Sequence, residues 1–147
     1  MSGAASTVHG SAVLTGARAV LIRGPSGAGK SSLALSLIGA AHAGLLRFAR
    51  LVGDDRLHLS ACNGRLLVRP AAALAGLIEV RGLGVRKLDY ETRAVVGLVV
   101  DLSASDAERL PCPGTAVLEG ISVPRLAIAV QAAPLQVLMA SIHTVQP

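Results

Sequence analysis

The stretch Ala19-Val-Leu-Ile-Arg-Gly-Pro-Ser-Gly-Ala-Gly-Lys-Ser31 decides how this chain is read. Ala19 to Ile22 is a short apolar run of the kind that forms a buried strand. Gly24-Pro25-Ser26-Gly27-Ala28-Gly29-Lys30-Ser31 then fits G-x-x-x-x-G-K-[ST] at every position. Glycines at 24, 27 and 29 let backbone N–H groups curl around a phosphate without interference from a Cβ. Lys30 suits the β and γ oxygens of a nucleotide, and the Ser31 hydroxyl suits Mg²⁺. Beyond the loop, Leu33, Leu37, Ile38 and Ala41 recur at helical spacing, predicting a helix over 30–41 whose positive N-terminus points at the same anion. Strand, loop and helix together predict nucleoside triphosphate binding. They say little about the reaction.

Upstream, Ala12 to Arg23 reads as a hairpin with Ala19–Ile22 as its second arm. Downstream, Leu51-Val52 predicts a short strand ending in a tight turn at Gly53-Asp54-Asp55. Asn63-Gly64, between alternating runs from Arg56 to Arg69, is a strong two-residue hairpin signal. A helical turn is expected at 72–77, then the stretch Ile78 to Gly84. Ala94 to Leu102 is the most strand-like run of the chain. Further strands are expected over 118–130, interrupted by Pro124, and a closing helix over 134–144. One loop–helix unit followed by many strands is not a regular βαβ alternation. It predicts an α/β domain: a P-loop-containing mixed β-sheet around a central helix, one domain over 1–147 with residues 1–8 flexible.

Composition narrows the function classes. The 147 residues carry 14 Lys and Arg against 9 Asp and Glu, a net charge of +5, and 52% are hydrophobic. Disordered chains lack that apolar content. Phe48 and Tyr90 are the only aromatics, which argues against base-stacking nucleic-acid modules. A mean hydropathy of +0.59 invites a membrane reading. The uninterrupted apolar runs are too short for a spanning helix, however, and no basic, secretory-type N-terminus is present. Cys62 and Cys112 match no metal-ligand spacing and are expected to be buried, reduced thiols. A cytoplasmic protein is expected, with no membrane or nucleic-acid partner.

A phosphate loop needs a nearby carboxylate, usually at the end of a neighbouring strand. Asp101, ending the apolar run 95–100, looks the better by hydrophobicity alone. Asp54-Asp55 offers two adjacent carboxylates that can divide roles, one near a metal and one deprotonating a hydroxyl nucleophile.

These residues together resemble a known family. His9-Gly10, the loop at 24–31, Leu51-Val-Gly-Asp-Asp55 and Leu77-Ile-Glu-Val-Arg-Gly-Leu-Gly84 occur in the order found in the catalytic domain of HPr kinase/phosphorylase. That bacterial enzyme phosphorylates a serine of the phosphocarrier protein HPr. The Glu-Val-Arg-Gly-Leu-Gly stretch carries the resemblance furthest, and the compact pattern is similar to the short single-domain form of proteobacteria, with a PEP-carboxykinase-like fold. The resemblance implies that Asp54 is the general base for phosphorylation and the general acid in reverse. It also implies that Lys30 contacts phosphate, that Ser31 and Glu79 ligate Mg²⁺, and that His9 lies beside the phosphate site. Arg109 would contact phosphate and partner from a loop. Arg81 and Arg86 flank the Gly-Leu-Gly turn as candidates for the same contacts. ATP and Mg²⁺ are the implied cofactors, and HPr the implied partner, with inorganic phosphate or pyrophosphate as further reactants and a homo-oligomer as the assembly. A Pro-Val-Arg-Pro-Gly-Arg-Asn-like segment, associated in the family with phosphorolysis, is reduced here to Val123-Pro-Arg125. A kinase of a small anionic metabolite and a non-catalytic nucleotide-sensing module are the alternatives. With few aromatics, nucleotide affinity should come from the phosphates, and base selectivity should be loose.

Overall fold

The computed structural model describes residues 6–108 and 114–144. Arg109 and Cys112 lie outside them. Strands β1 (Ser6–Thr15) and β2 (Arg18–Arg23) form the expected hairpin, which opens at Ser6 rather than Ala12. Ser6 to Val8, expected to be flexible, pair with Leu59 to Leu57. Helix α1 (Lys30–His42) follows the glycine loop and buries Leu33, Ala34, Leu37, Ile38 and Ala40.

The largest correction concerns strand β3, which runs unbroken from Arg50 to Cys62. Gly53-Asp54-Asp55 is therefore not a turn but the middle of a strand. Two strained features mimic a turn in the sequence: a register shift against β1 between Ala12 and Val13, and a positive φ of 71° at Asp55. The strand continues because both its edges are paired, to β1 and, from Leu57 on, to β4 (Arg65–Pro70). The β3–β4 turn at Asn63 and Gly64 has φ of 51° and 73°, as that dipeptide predicts.

A 3-10 turn at Ala72–Leu74 leads to a separate two-stranded hairpin, β5 (Leu77–Val80) and β6 (Gly84–Lys87). Strand β7 spans Ala94–Leu102 as expected. Strands β8 (Gly114–Leu118) and β9 (Ile121–Ile128) complete the main sheet, and helix α2 (Pro134–His143) packs on α1. Pro124 does not interrupt β9. It lies one residue before β9 begins to pair with β7 and faces only β8, so no ladder bond on the β7 side needs its missing N–H.

β7 pairs antiparallel with β4 at Val95 and Ala94, and parallel with β2 from Val96 to Asp101. The pairings β2–β1–β3–β4–β7–β2 thus close into a ring. Alternate residues serve two cores, as strand geometry requires. Leu21, Val52, Leu57, Leu59, Leu66, Val68 and Val99 belong to a cluster made of strand residues alone, so the sheet curls over itself to bury them. Val20, Ile22, Leu51 and Val100 face the other way, onto α1 and Leu138 of α2. The mixed α/β sheet read from the sequence is present, with α1 packed on its outer face. Cys62, expected to be buried, is a half-buried free thiol at the end of β3.

Candidate active site

The fold brings the glycine loop, the middle of β3 and the β5–β6 hairpin around one cleft of about 860 Å³. The loop begins where β2 meets β7. A Cβ on Gly24 would sit 3.2 Å from the Leu102 carbonyl oxygen, so the residue is held against the neighbouring strand. Gly29, at φ 96°, turns the chain into α1 in a conformation that disfavours any residue with a Cβ. Lys30 folds its ammonium over the loop and donates to the carbonyls of Gly24 at 2.9 Å and Pro25 at 3.1 Å. Ser26, Gly27, Gly29, Lys30 and Ser31 line the cleft, whereas Gly24, Pro25 and Ala28 shape the loop from behind.

Asp54 is 4% exposed, and its carboxylate reaches the start of α1. The Ser31 hydroxyl lies 2.8 Å from Oδ1 and 2.9 Å from Oδ2, so it donates to the carboxylate without choosing between the two oxygens. From the opposite side the hydroxyl of Ser11, wholly buried on β1, donates to Oδ1 at 2.5 Å. Successive side chains of a strand normally face opposite ways. Both Asp54 and Asp55 nonetheless line the cleft, and the positive φ of Asp55 is what departs from that alternation.

Glycines occupy two crowded positions beside Ser11 and Asp54, one on β1 and one on β3. A Cβ on Gly10 would stand 2.6 Å from the Ile22 carbonyl oxygen, and one on Gly53 2.6 Å from Leu57 Cδ2. These two residues flank the Ser11–Asp54 pair in register, opposite Asp55 and Ala12 respectively.

The remaining expected residues are placed unequally. Glu79, exposed on β5, lines the cleft, and its backbone N–H points at Asp54 Oδ2 from 3.5 Å. Arg81 lines the cleft and Arg86 does not. His9 is 74% exposed, its Nδ1 4.0 Å from Oδ1 of the cleft-lining Asp55. Among the described residues no three His, Cys, Asp or Glu side chains form a ready-made metal cluster. The oxygens of Ser31, Asp54 and Glu79 are the hard donors that Mg²⁺ prefers, and that ion characteristically binds through one or two protein oxygens plus phosphate and water. The donor set fits Mg²⁺.

Asp101 does not compete for that role. Arg23 donates to it through Nε at 2.8 Å and through Nη2 at 2.9 Å, and Arg125 donates through Nε at 2.5 Å. Arg125 also grips Asp106 with both terminal nitrogens, at 2.8 and 3.0 Å. Burial pushes the Asp101 carboxyl up, but the hydrogen bonds and charges of the two arginines outweigh it and hold the group below its ordinary value. The bond from Arg125 likewise lowers Asp106, and both carboxylates raise Arg125. This charge chain pins the end of β7 beside the root of the phosphate loop.

Comparison with known proteins places the chain in a family and agrees with its fold. The family described as HPr Serine kinase C-terminal domain matches residues 3–139. The chain belongs to this family. HPr kinase/phosphorylase of Limosilactobacillus reuteri is 33% identical to it over 138 residues, covering 85% of this chain and 41% of that protein. The Clostridium beijerinckii protein of the same description is 40% identical over 78 residues, covering 53% of this chain and 24% of that one. The chain therefore spans less than half the length of these curated relatives. The solved HPr(Ser) kinase/phosphatase from Coxiella burnetii matches over 93% of both chains with a TM-score of 0.77 and 24% identity, which shows a shared fold. Within the HPr kinase domain, the residue that sequence reasoning missed is Ser11. A serine in an apolar run carries no signal of its own. Only the register of β1 on β3 reveals that it faces Asp54.

Proposed function

We propose that this domain is an ATP- and Mg²⁺-dependent serine kinase that phosphorylates an HPr-type phosphocarrier protein. The observation that supports it best is the Asp54 carboxylate, buried on one side and facing the cleft on the other, at the N-terminus of the phosphate-loop helix. A serine hydroxyl is a weak nucleophile that needs a positioned base. As the acceptor oxygen bonds to the γ-phosphorus, its proton passes to Asp54 and the bond from the γ-phosphorus to the bridging oxygen breaks, releasing ADP. Backbone amides of the loop and the Lys30 ammonium hold the transferring phosphoryl group. Ser31 and Glu79 would hold Mg²⁺, which when bound supplies positive charge to the phosphate oxygens. Arg81, on the exposed turn that closes the cleft, adds a cation on the side from which an anionic substrate would enter.

The same residues serve the reverse transfer. Inorganic phosphate on the loop attacks phosphoserine, pyrophosphate forms, and Asp54 returns the proton to the serine oxygen. Self-association belongs to the same reading. Among the described residues the outer strand β8, whose Val117 is 68% exposed, ends the main sheet and is where a second copy would pair.

The test is phosphate transfer from radiolabelled ATP to HPr in Mg²⁺, followed by mass spectrometry of the phosphoserine. Asp54→Asn is expected to slow transfer by about a hundredfold or more while ATP affinity stays within about threefold. Wild-type protein that labels no carrier, or an Asp54→Asn protein that labels it fully, overturns the proposal.

A further inference from the structure

The donors around Asp54 distinguish its two oxygens. The Ser31 hydroxyl is shared almost equally between Oδ1 and Oδ2. The Glu79 N–H approaches Oδ2 only at 3.5 Å, the outer limit of a hydrogen bond. Ser11 makes the shortest of these contacts and to one oxygen only, donating to Oδ1 at 2.5 Å from a site with no solvent exposure. Its hydroxyl bonds to no other side chain among the described residues, where every buried side-chain nitrogen and oxygen has a partner. Rotating the carboxylate would strand that buried hydroxyl, at the cost of leaving a desolvated donor unsatisfied. Beside Ser11 the backbone of β1 is packed closely on β2, where a Cβ on Gly10 would stand 2.6 Å from the Ile22 carbonyl oxygen.

We propose that Ser11 is a positioning residue that fixes the roles of the Asp54 oxygens: Oδ1 is the anchored atom, and Oδ2 is the one presented to the acceptor hydroxyl and receiving its proton. This rests on the reading of Asp54 as the base. A carboxylate held in one rotamer keeps a lone pair aimed at the reacting proton, and misplacement of a catalytic group by about 1 Å can cost a hundredfold. Ser11 itself touches neither nucleotide nor acceptor. Its loss should therefore lower turnover without weakening ATP.

The experiment compares Ser11→Thr and Ser11→Val, which have nearly the same size and differ in the hydroxyl. Ser11→Ala, which removes the hydroxyl without adding volume, serves as a second probe. HPr phosphorylation is measured for each as separate kcat and KM for ATP, with thermal unfolding alongside and Asp54→Asn as reference. The expected result is a fall in kcat of about tenfold or more in the Val and Ala proteins with KM for ATP within about twofold, and recovery to within about threefold of wild type in the Thr protein. Wild-type kcat in both the Ala and Val proteins overturns the inference. So does a Thr protein that folds but turns over as slowly as Val, or a loss that appears in KM alone. If Asp54→Asn is inactive while Ser11→Ala is normal, only the positioning role fails. If Asp54→Asn is active, the reading of the base fails with it.

Discussion

Replacing Asp101 by asparagine separates a structural carboxylate from a metal-binding one. Its carboxylate is 15% exposed and takes three donor contacts from Arg23 and Arg125, whose side chains are 28% and 23% exposed. Removing one partner of a fully buried ion pair costs about 3–5 kcal/mol, because a charge is left uncompensated. Here the arginines keep a quarter of their surface in water, Arg125 retains Asp106, and asparagine still accepts one hydrogen bond. The expected loss is accordingly about 2–3 kcal/mol. For a domain of this size each kcal/mol shifts Tm by about 2–4 °C, so the variant should melt about 5–10 °C below wild type. Calorimetry measures that shift, and Mg²⁺-dependent ATP binding, measured well below the melting range, should be unchanged within about threefold. A variant that melts with the wild type but loses the Mg²⁺ dependence of binding would refute this reasoning and return Asp101 to the metal site.

Acid should expose the same group. The Asp101 carboxyl titrates below its ordinary 3.8 in the fold, so its contribution is fully present above that value and is lost as pH falls through the lower folded one. Urea midpoints recorded from about pH 5 down to about pH 2 should therefore fall more steeply for wild type than for Asp101→Asn. Gly10→Ala forces a Cβ against a backbone carbonyl at 2.6 Å and should cost about 2 kcal/mol or more in chemical denaturation. ATP with Mg²⁺ at a hundredfold excess over Kd should stabilise the domain by about 2.7 kcal/mol, a thermal shift that chelation by EDTA reduces and that Lys30→Ala abolishes.

The glycine loop, α1 and β7 were legible because each depends on local signals: a phosphate motif, a 3.6-residue period, a run of β-branched residues. The Asn63-Gly64 turn was legible for the same reason. Gly53-Asp54-Asp55 resembles a turn in sequence, since no periodicity marks a strand that carries a positive φ at Asp55. The strand continues there because β1 pairs with it from more than forty residues away, and tertiary pairing outweighs local preference. The ring of strands, the Arg23–Asp101–Arg125–Asp106 chain and the Ser11 contact were not legible, since all three rest on which strand lies beside which. Pairings between residues 19 to 78 positions apart leave no mark on either segment.

The closure of β7 onto β2 also sets an order of assembly. The hairpins β1–β2 and β3–β4 each join neighbours in sequence and can form early, because short loops close at little entropic cost. The root of the phosphate loop waits for a partner far downstream: Arg23 and Asp101 are 78 residues apart. The loop root is therefore completed by the least local of these pairings, and on the proposed function a bound nucleotide would act as a clasp on it. Release of the nucleotide should be the event that lets the ring open, so that unfolding rates fall as nucleotide concentration rises.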